Sequence, residues 1–171
     1  MRMQRVLVIG AGGAGKSTFA ARLGQRTGLP VIHLDREYWQ PDWIEPPREA
    51  WKATVTRLIA GERWILDGNF GGSMDLRLQA CDTVVYLDMP RLTCIRRVLM
   101  RRMHLRGSAR PDMTPGCNEK LSLDFLWWIW TYPAKRRPAV LARLQDLRAD
   151  QTAVVLRSDA DVERFLDLQN G

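Results

Sequence analysis

Five short runs of aliphatic and β-branched residues recur along the chain, each bounded by glycine, proline or charged positions. Runs of this length and composition are typical of buried parallel strands. Apolar residues in the intervening segments return every three or four positions, which predicts helices. A chain that alternates strands and helices in this way forms an α/β fold, with a parallel sheet covered by helices on both faces. The predicted strands are 5–9, 31–35, 63–67, 82–88 and 152–156.

Two segments interrupt this alternation. Residues 36–60 combine a stretch rich in tryptophan and proline with an amphipathic helix over 48–60. Residues 101–120 run from the end of a basic helix over 91–105 into a loop broken by glycine and proline. We predict a single domain, 1–171, that carries a small lobe at 36–60 and a lid at 101–120. In the lobe, Trp39 and Trp43 either pack a small core or stack on a bound ring.

Two predicted helices have a marked apolar character. The helix over 91–105 begins after Pro90, and its predicted apolar face consists of Leu92, Ile95, Val98, Leu99 and Met103. The helix over 119–132 contains Trp127, Trp128 and Trp130, and Pro133 is predicted to end it. We expect these tryptophans to form core or a buried interface, a dimer face included. The chain is therefore predicted to be a monomer or a homodimer.

Positive charge is concentrated in one part of the chain. The net charge is +7, and residues 91–148 hold thirteen Lys or Arg against four Asp or Glu. Such a segment attracts polyanions. Nucleotide phosphates and nucleic acid both qualify, and composition does not choose between them.

The cysteines and the apolar runs predict a cytoplasmic protein. Cys81, Cys94 and Cys117 are odd in number and form no C-x-x-C pair, which argues against a disulfide framework and a zinc site. The N-terminal apolar run is too short for a signal peptide. The longest apolar run, 125–130, is far shorter than a membrane span, so no membrane partner is expected.

The first strand leads directly into a glycine-rich segment, residues 10–18, of the form G-x-x-x-x-G-K-[ST]. Between a strand and a helix this pattern predicts a phosphate-binding loop, in which backbone N–H groups and the helix N-terminus bind phosphate oxygens. Lys16 would reach the β- and γ-phosphates, and Ser17 would bind Mg²⁺. The predicted nucleotide contacts are Gly10, Gly12, Gly13, Ala14, Gly15, Lys16, Ser17 and Thr18.

The same glycines also satisfy the dinucleotide-binding pattern G-x-G-x-x-G, with Asp35 at nearly the expected distance. Lys16 and Ser17 favour the phosphate loop, because a triphosphate site needs a lysine there and a dinucleotide site does not. We therefore predict ATP and Mg²⁺ as cofactors.

Two carboxylates are predicted to face this loop. Asp35 and Asp67 each end a predicted strand, and ligands of open α/β sheets bind beyond the carboxyl ends of the strands. Asp35 would contact the phosphoryl acceptor or take its proton, unless it caps the next helix. Asp67 would hold Mg²⁺ together with Ser17. The lobe and the segment after Asp67 would bind the acceptor, through Asp35, Arg48, Gly68 and Asn69.

Arginines of the basic segment are candidates for stabilising the transferring phosphoryl group, because its charge spreads over several oxygens. Beside Lys16 and Asp35 we assign catalytic roles to Arg101, Arg106 and Arg137, and donor binding to Arg102. For any single arginine, the alternative is a solvated helix face.

A resemblance to known kinases is carried by residues 10–18, 33–35, 38–51, 64–69, 96–106 and 135–137. These stretches resemble the nucleoside and nucleotide kinases of the adenylate-kinase and shikimate-kinase type. More closely they resemble the adenylate-kinase-like topology modulation proteins. The resemblance implies that Asp35 matches the strand-two acid of shikimate-type kinases and that Ser158 lies against the adenine. Adenylate kinases carry an arginine four residues after the aspartate matched by Asp67. The position here is Gly71, so AMP recognition is not predicted.

Two functions follow. The first is transfer of the γ-phosphoryl group of ATP to a small acceptor. The alternative is an NTP-binding regulator that associates with DNA through its basic surface, and it is the less favoured of the two.

Overall fold

A computed structural model describes residues 3–104, 114, 115, 117 and 122–169. Five parallel strands form one sheet in the order β2-β3-β1-β4-β5. Helices alternate with the strands, which confirms the predicted fold class. The strands are β1 (Arg5–Gly10), β2 (Val31–His33), β3 (Trp64–Asp67), β4 (Thr83–Leu87) and β5 (Thr152–Leu156).

The described α-helices connect and cover these strands. Helix α1 follows the phosphate loop and ends at Gly28, whose φ of 66° and N–H bond to the Gly24 carbonyl close the helix. The helices are α1 (Lys16–Thr27), α2 (Leu34–Tyr38), α3 (Arg48–Ile59), α4 (Met74–Ala80), α5 (Arg91–His104), α6 (Leu123–Lys135), α7 (Arg137–Gln145) and α8 (Asp159–Asp167). Among the described residues, no helix combines the length and the apolar character needed to cross a membrane.

The core lies on both faces of the central strands β1, β3 and β4. Every residue of β3 and β4 is buried, as is β1 from Val6 onward. Burial on both faces explains why these strands are continuous apolar runs rather than alternating ones. The parallel register pairs Val8 with Asp67 and Gly10 with Leu87, so the carboxyl ends of the three strands meet at one edge.

The second strand is shorter than predicted. It ends at His33, and Asp35 lies in the first turn of α2 instead of closing the strand. The residue at the N-terminal cap of α2 is His33, so Asp35 does not cap that helix either. Helix α2 starts early because the buried Leu34 packs into the core from a helical position.

The predicted apolar face of the basic helix was wrong in part. Helix α5 buries Cys94 and Val98, whereas Leu92 is 67% exposed and Leu99 and Met103 are also exposed. The reason is a close backbone approach: a Cβ on Gly13 would lie 2.3 Å from the Cys94 carbonyl oxygen. Only the small side chains of α5 fit against a backbone this near, so its leucines and methionines face outward.

Helix α6 differs from its prediction in two ways. Pro133 does not end the helix, which continues to Lys135, because a proline near the last turn removes only its own N–H bond. Arg136 N–H then bonds the Tyr132 carbonyl at 2.9 Å and closes the helix. Two of the three tryptophans do not form core: Trp127 is 62% exposed and Trp130 is exposed, whereas the partly buried Trp128 packs against the core. Ile129 and Tyr132 are the buried residues of this helix.

Residues 36–60, the lobe, contain part of α2, a 3-10 turn over Pro41–Trp43 and helix α3. Trp51 and Val55 of α3 are buried. The predicted lid lies largely outside the described residues. Of the lid residues that are described, Thr114 and Cys117 contact the lobe: Thr114 Oγ1 donates to the Trp39 carbonyl at 2.6 Å, and Cys117 Sγ to the Gln40 carbonyl at 3.1 Å.

Candidate functional site

The phosphate loop, residues 10–18, curls at the carboxyl end of β1. Gly15 precedes α1 with a φ of 94°, and Lys16 is the first residue of the helix. The Lys16 ammonium donates to the carbonyls of Gly10 and Ala11, both at 3.1 Å. The lysine is therefore held inside the curl of the loop, where a bound phosphate would lie.

Helix α5 supports the loop from behind. Gly13, with a φ of 78°, lies against Cys94 and Val98. Arg97 Nη1 donates to the Ala14 carbonyl at 3.0 Å, while Arg97 Nη2 pairs with Asp159 at the start of α8. Burial raises the pKa of the Cys94 thiol, which donates to the Met89 carbonyl. The loop thus rests on a rigid, close-packed surface.

Asn69 joins the loop to the segment that follows β3. Its Nδ2 donates to the Gly10 carbonyl at 2.7 Å, and its Oδ1 accepts from the Gly10 N–H at 3.1 Å. Gly68 has a φ of 144°, and a Cβ there would lie 2.9 Å from Leu34 Cβ. This pair of bonds fixes the distance between the phosphate loop and the predicted acceptor segment.

Asp67 is 4% exposed at the end of β3. Its Oδ2 lies 2.9 Å from His33 Nδ1, at the end of the neighbouring strand β2. Its Oδ1 is buried and has no hydrogen-bond partner among the described residues. A buried carboxylate oxygen without a partner is costly, which is typical of a position that serves a ligand or a bound water.

Arg77 of α4 is fully buried beneath the same segment. Its guanidinium donates to the carbonyls of Gly68 at 2.7 Å, Phe70 at 2.9 Å and Ser73 at 3.3 Å, and also to that of Asn69. Burial lowers the pKa of Arg77 to about 10, which leaves it charged at neutral pH. One cation therefore satisfies four carbonyls of the segment 68–73 and fixes its conformation.

The loop, the lobe and helix α6 enclose a cleft of about 620 Å³. Outside the phosphate loop, the charged side chains that line it are Asp35 and Arg101, counted over the described residues. Most of the predicted site residues thus share one cavity. The lining consists of Gly12, Gly13, Gly15, Lys16, Ser17, Thr18, Asp35, Trp39, Trp43, Gly68, Asn69, Phe70, Arg101, Ser122, Phe125 and Trp128.

Aromatic side chains line the cleft from two sides. Trp39, Trp43 and Phe70 form what we call the lobe wall, and Phe125 and Trp128 form the helix wall. The helix wall touches the phosphate loop, because a Cβ on Gly12 would lie 2.6 Å from Phe125 Cζ. The sequence predicted the tryptophans of α6 as core or interface, since nothing in their spacing shows which of them faces a cavity.

Several predicted site residues lie away from the cleft. Arg48 is exposed at the start of α3, and Arg102 lines an apolar groove on the outer face of α5. Ser158 caps α8, where its hydroxyl accepts the Asp161 N–H at 3.1 Å. Arg106 lies outside the described residues. None of the three described side chains is among the residues that line the cleft.

Arg137 is engaged by an acid that the sequence did not single out. Its Nε lies 2.9 and 3.0 Å from the two oxygens of Asp88, which follows β4, and this contact raises the pKa of Arg137. Arg157 Nε lies 3.6 Å from the same carboxylate. The structure thus places Arg137 in an ion-pair cluster at the end of β4 and not on the wall of the cleft.

Comparison with known proteins adds a partial family match and a relative. A family model described as isopentenyl transferase matches residues 3–42, which contain β1, the phosphate loop and Asp35. The uncharacterized protein YqaC of Bacillus subtilis is 29% identical to this chain over 175 residues, and the match covers 96% of each protein.

Solved structures with a similar fold are kinases. Shikimate kinase from Bacteroides thetaiotaomicron superposes with a TM-score of 0.58 at 17% identity, over 97% of this chain and 98% of that one. Deoxyadenosine kinase from M. mycoides, solved with dATP bound, superposes with a TM-score of 0.51 at 16% identity, over 97% and 99% of the two chains. The chain therefore has the α/β fold of these phosphate-loop kinases.

Proposed function

We propose that the protein transfers the γ-phosphoryl group of ATP to a small acceptor that carries a hydroxyl group. The observation that carries this proposal is that predicted donor-binding residues and predicted acceptor-binding residues line the same cleft. Lys16 and Ser17 of the phosphate loop line the same cleft as Asp35 and Asn69. A cavity lined by both a phosphate loop and a carboxylate can hold a donor and an acceptor together.

The chemistry follows from these positions. The acceptor oxygen attacks the γ-phosphorus, a new O–P bond forms, and the bond from the γ-phosphorus to the β–γ bridging oxygen breaks to release ADP. Asp35 orients the hydroxyl and takes its proton. Lys16 and Arg101 stabilise the charge on the transferring group.

The residues near the loop fit a magnesium ion. Ser17 lines the cleft, and Asp67 Oδ1 is a buried oxygen without a hydrogen-bond partner in the described part of the chain. Hydroxyl and carboxylate oxygens are ligands that Mg²⁺ prefers. We propose that Ser17 and Asp67 hold Mg²⁺, directly or through water, and that the ion neutralises phosphate charge when bound.

Lysine removal tests the donor site. We expect ATP with Mg²⁺, at about 100 times its Kd, to raise the melting temperature by roughly 5–10 °C. Lys16→Ala should abolish this shift, because it removes the cation that reaches the phosphates. Lys52→Ala is the matched control, since Lys52 is exposed on α3 and does not line the cleft. A wild-type protein that melts at the same temperature with and without ATP contradicts the proposal.

The partial family match favours a second candidate, transfer of an isopentenyl group from its diphosphate. The matched residues 3–42 include both the phosphate loop and Asp35. In this reaction the loop would bind the leaving diphosphate, and Asp35 would take a proton from the attacking group. The products separate the two reactions: the kinase forms ADP from ATP, and the transferase releases diphosphate from dimethylallyl diphosphate without ATP.

The closer resemblance to topology modulation proteins, and a regulatory role on DNA, stay predictions.

A further inference from the structure

We infer that the acceptor is a planar heteroaromatic alcohol: a flat, uncharged ring that carries a hydroxyl group on a short arm. This inference rests on the proposed function and assigns the substrate class of the same cleft. It is carried by the aromatic side chains of the lobe wall and the helix wall, and by the few charges between them.

The lobe wall is held rigid by further aromatic residues behind it. Tyr38 packs on Trp39, Trp51 and Phe70 with ring centroids 4.9, 4.9 and 4.5 Å away. Phe70 also contacts Trp51, with centroids 5.1 Å apart. Rings fixed in this way lose little conformational entropy when a ligand stacks on them.

Trp43 is placed by an unusual backbone. Asp42 and Trp43 both have a φ of 63°, which is rare for a bulky residue. The turn is closed by a bond from Gln40 N–H to the Ile44 carbonyl at 3.0 Å. The Trp43 ring lies 5.3 Å from that of Trp39, and both line the cleft. Strain of this kind clusters at ligand sites, and here it presents an indole to the cleft.

The helix wall adds an ordered pair of rings on α6. Phe125 and Trp128 are stacked with an interplanar angle of 10° and centroids 6.0 Å apart. Trp128 is fixed by Tyr132, whose ring lies 5.2 Å from it in an edge-on arrangement. Phe125 contacts Gly12 of the phosphate loop, so the ring of a ligand that stacks on the helix wall would lie beside the loop. A hydroxyl on a short arm could then reach the γ-phosphate.

The charges exclude strongly polar acceptors. Of the described residues that line the cleft outside the phosphate loop, Asp35 and Arg101 are the charged ones, and they have opposite signs. A polyol or a carboxylic acid would place several polar groups against aromatic carbon, where each unpaired group costs free energy. A flat ring instead stacks on indole and phenyl faces and needs only a partner for its hydroxyl, which Asp35 supplies.

In the proposed step the arm hydroxyl of the ring compound is the nucleophile. Its oxygen forms the new bond to the γ-phosphorus, its proton passes to Asp35, and ADP leaves with the electron pair of the broken bond. The products are ADP and the phosphate ester of the alcohol.

The test compares three groups of acceptors on the full chain. Hydroxymethylpyrimidine, hydroxyethylthiazole and 3-pyridinemethanol represent heteroaromatic alcohols, shikimate, ribose and gluconate represent polar acceptors without an aromatic ring, and isopentenol represents aliphatic alcohols. ADP formation with ATP and Mg²⁺ is measured for each, and binding is measured separately by thermal shift without ATP. We expect binding and ADP formation with at least one member of the first group and with none of the others.

Two tryptophans of α6 provide a matched pair of variants. Trp128→Leu removes a ring that lines the cleft, whereas Trp127→Leu removes an adjacent ring that is 62% exposed and lies outside it. We expect Trp128→Leu to raise the KM of the heteroaromatic alcohol about tenfold, since stacking on one ring contributes that much. Trp127→Leu should change KM less than twofold.

Each outcome decides the inference. A preference for polar or aliphatic acceptors, no binding of any heteroaromatic alcohol, or equal effects of the two variants would overturn it. Failure of the proposed kinase reaction gives a different result from failure of this substrate assignment. In that case a heteroaromatic alcohol still binds in the thermal-shift measurement and loses affinity in Trp128→Leu, but no acceptor yields ADP.

Discussion

Arg77 shows how a single buried side chain fixes a backbone segment, 68–73, that contributes to the lining of the cleft. Its guanidinium donates to the carbonyls of Gly68, Asn69, Phe70 and Ser73, the segment that also positions Asn69 against the phosphate loop. No described acid pairs with it by a salt bridge. It stabilises the fold because backbone carbonyls, which would otherwise be unsatisfied, provide its partners.

We expect Arg77→Ala to lower the free energy of unfolding by about 3 kcal/mol, since it leaves several buried carbonyls without donors. Arg77→Lys should retain part of this stability, because an ammonium supplies three donors and a guanidinium five. Urea unfolding measures both. Arg143→Ala is the control: Arg143 is exposed and pairs with the exposed Asp75, so its removal should cost less than about 0.5 kcal/mol. A small effect at Arg77 would contradict this account of the 68–73 segment.

At the scale of elements, the contact between the phosphate loop and α5 sets the geometry of the donor site. The loop backbone touches the helix backbone at Gly13, and Arg97 joins the loop to α5 and to α8. This contact also explains why the apolar side chains of α5 face outward. Helical periodicity by itself places the large apolar side chains of α5 in the core. The close backbone approach at Gly13 instead requires smaller residues on the side of α5 that faces the loop.

Gly13→Ala tests this contact. The new Cβ would lie 2.3 Å from the Cys94 carbonyl, and the residue would keep a left-handed φ of 78°. We expect a loss of about 3 kcal/mol or more in unfolding free energy, together with loss of the ATP-dependent thermal shift. Gly72→Ala is the matched control, because nothing lies within 4 Å of its Cβ position. Equal stability of the two variants would show that α5 moves freely away from the loop.

At the scale of the whole molecule, four of the thirteen basic residues of segment 91–148 form ion pairs within the protein. Arg97 pairs with Asp159, Arg137 with Asp88, Arg143 with Asp75 and Arg148 with Asp150. Each of these acids offsets one positive charge of the surface. The excess of arginine in the sequence therefore overstates the field available to an external polyanion.

We accordingly expect duplex DNA to bind no more tightly than ordinary non-specific partners, with a Kd of roughly 10⁻⁴ M or weaker near 150 mM salt. Fluorescence anisotropy over a salt series from about 50 mM measures it. Tight binding with a steep salt dependence, drawing on several phosphate contacts, would instead support the DNA-associated regulator.

Sequence by itself determined the fold class and the position of the phosphate loop. Strand length, helical spacing and the loop 10–18 are local properties that the sequence pattern shows directly. Asp35, Gly68, Asn69 and Arg101, which line the cleft, were predicted from their positions after strands or on the basic helix. Tertiary structure alone decided which aromatic side chains line the cleft and which arginines are held in ion pairs. Which of Trp127, Trp128 and Trp130 faces the cleft depends on how α6 packs beside the loop. Which arginines pair with acids depends on contacts between residues far apart in the chain. The local sequence pattern determines neither the tryptophan that faces the cleft nor the pairing of the arginines, because both depend on the relative placement of whole elements.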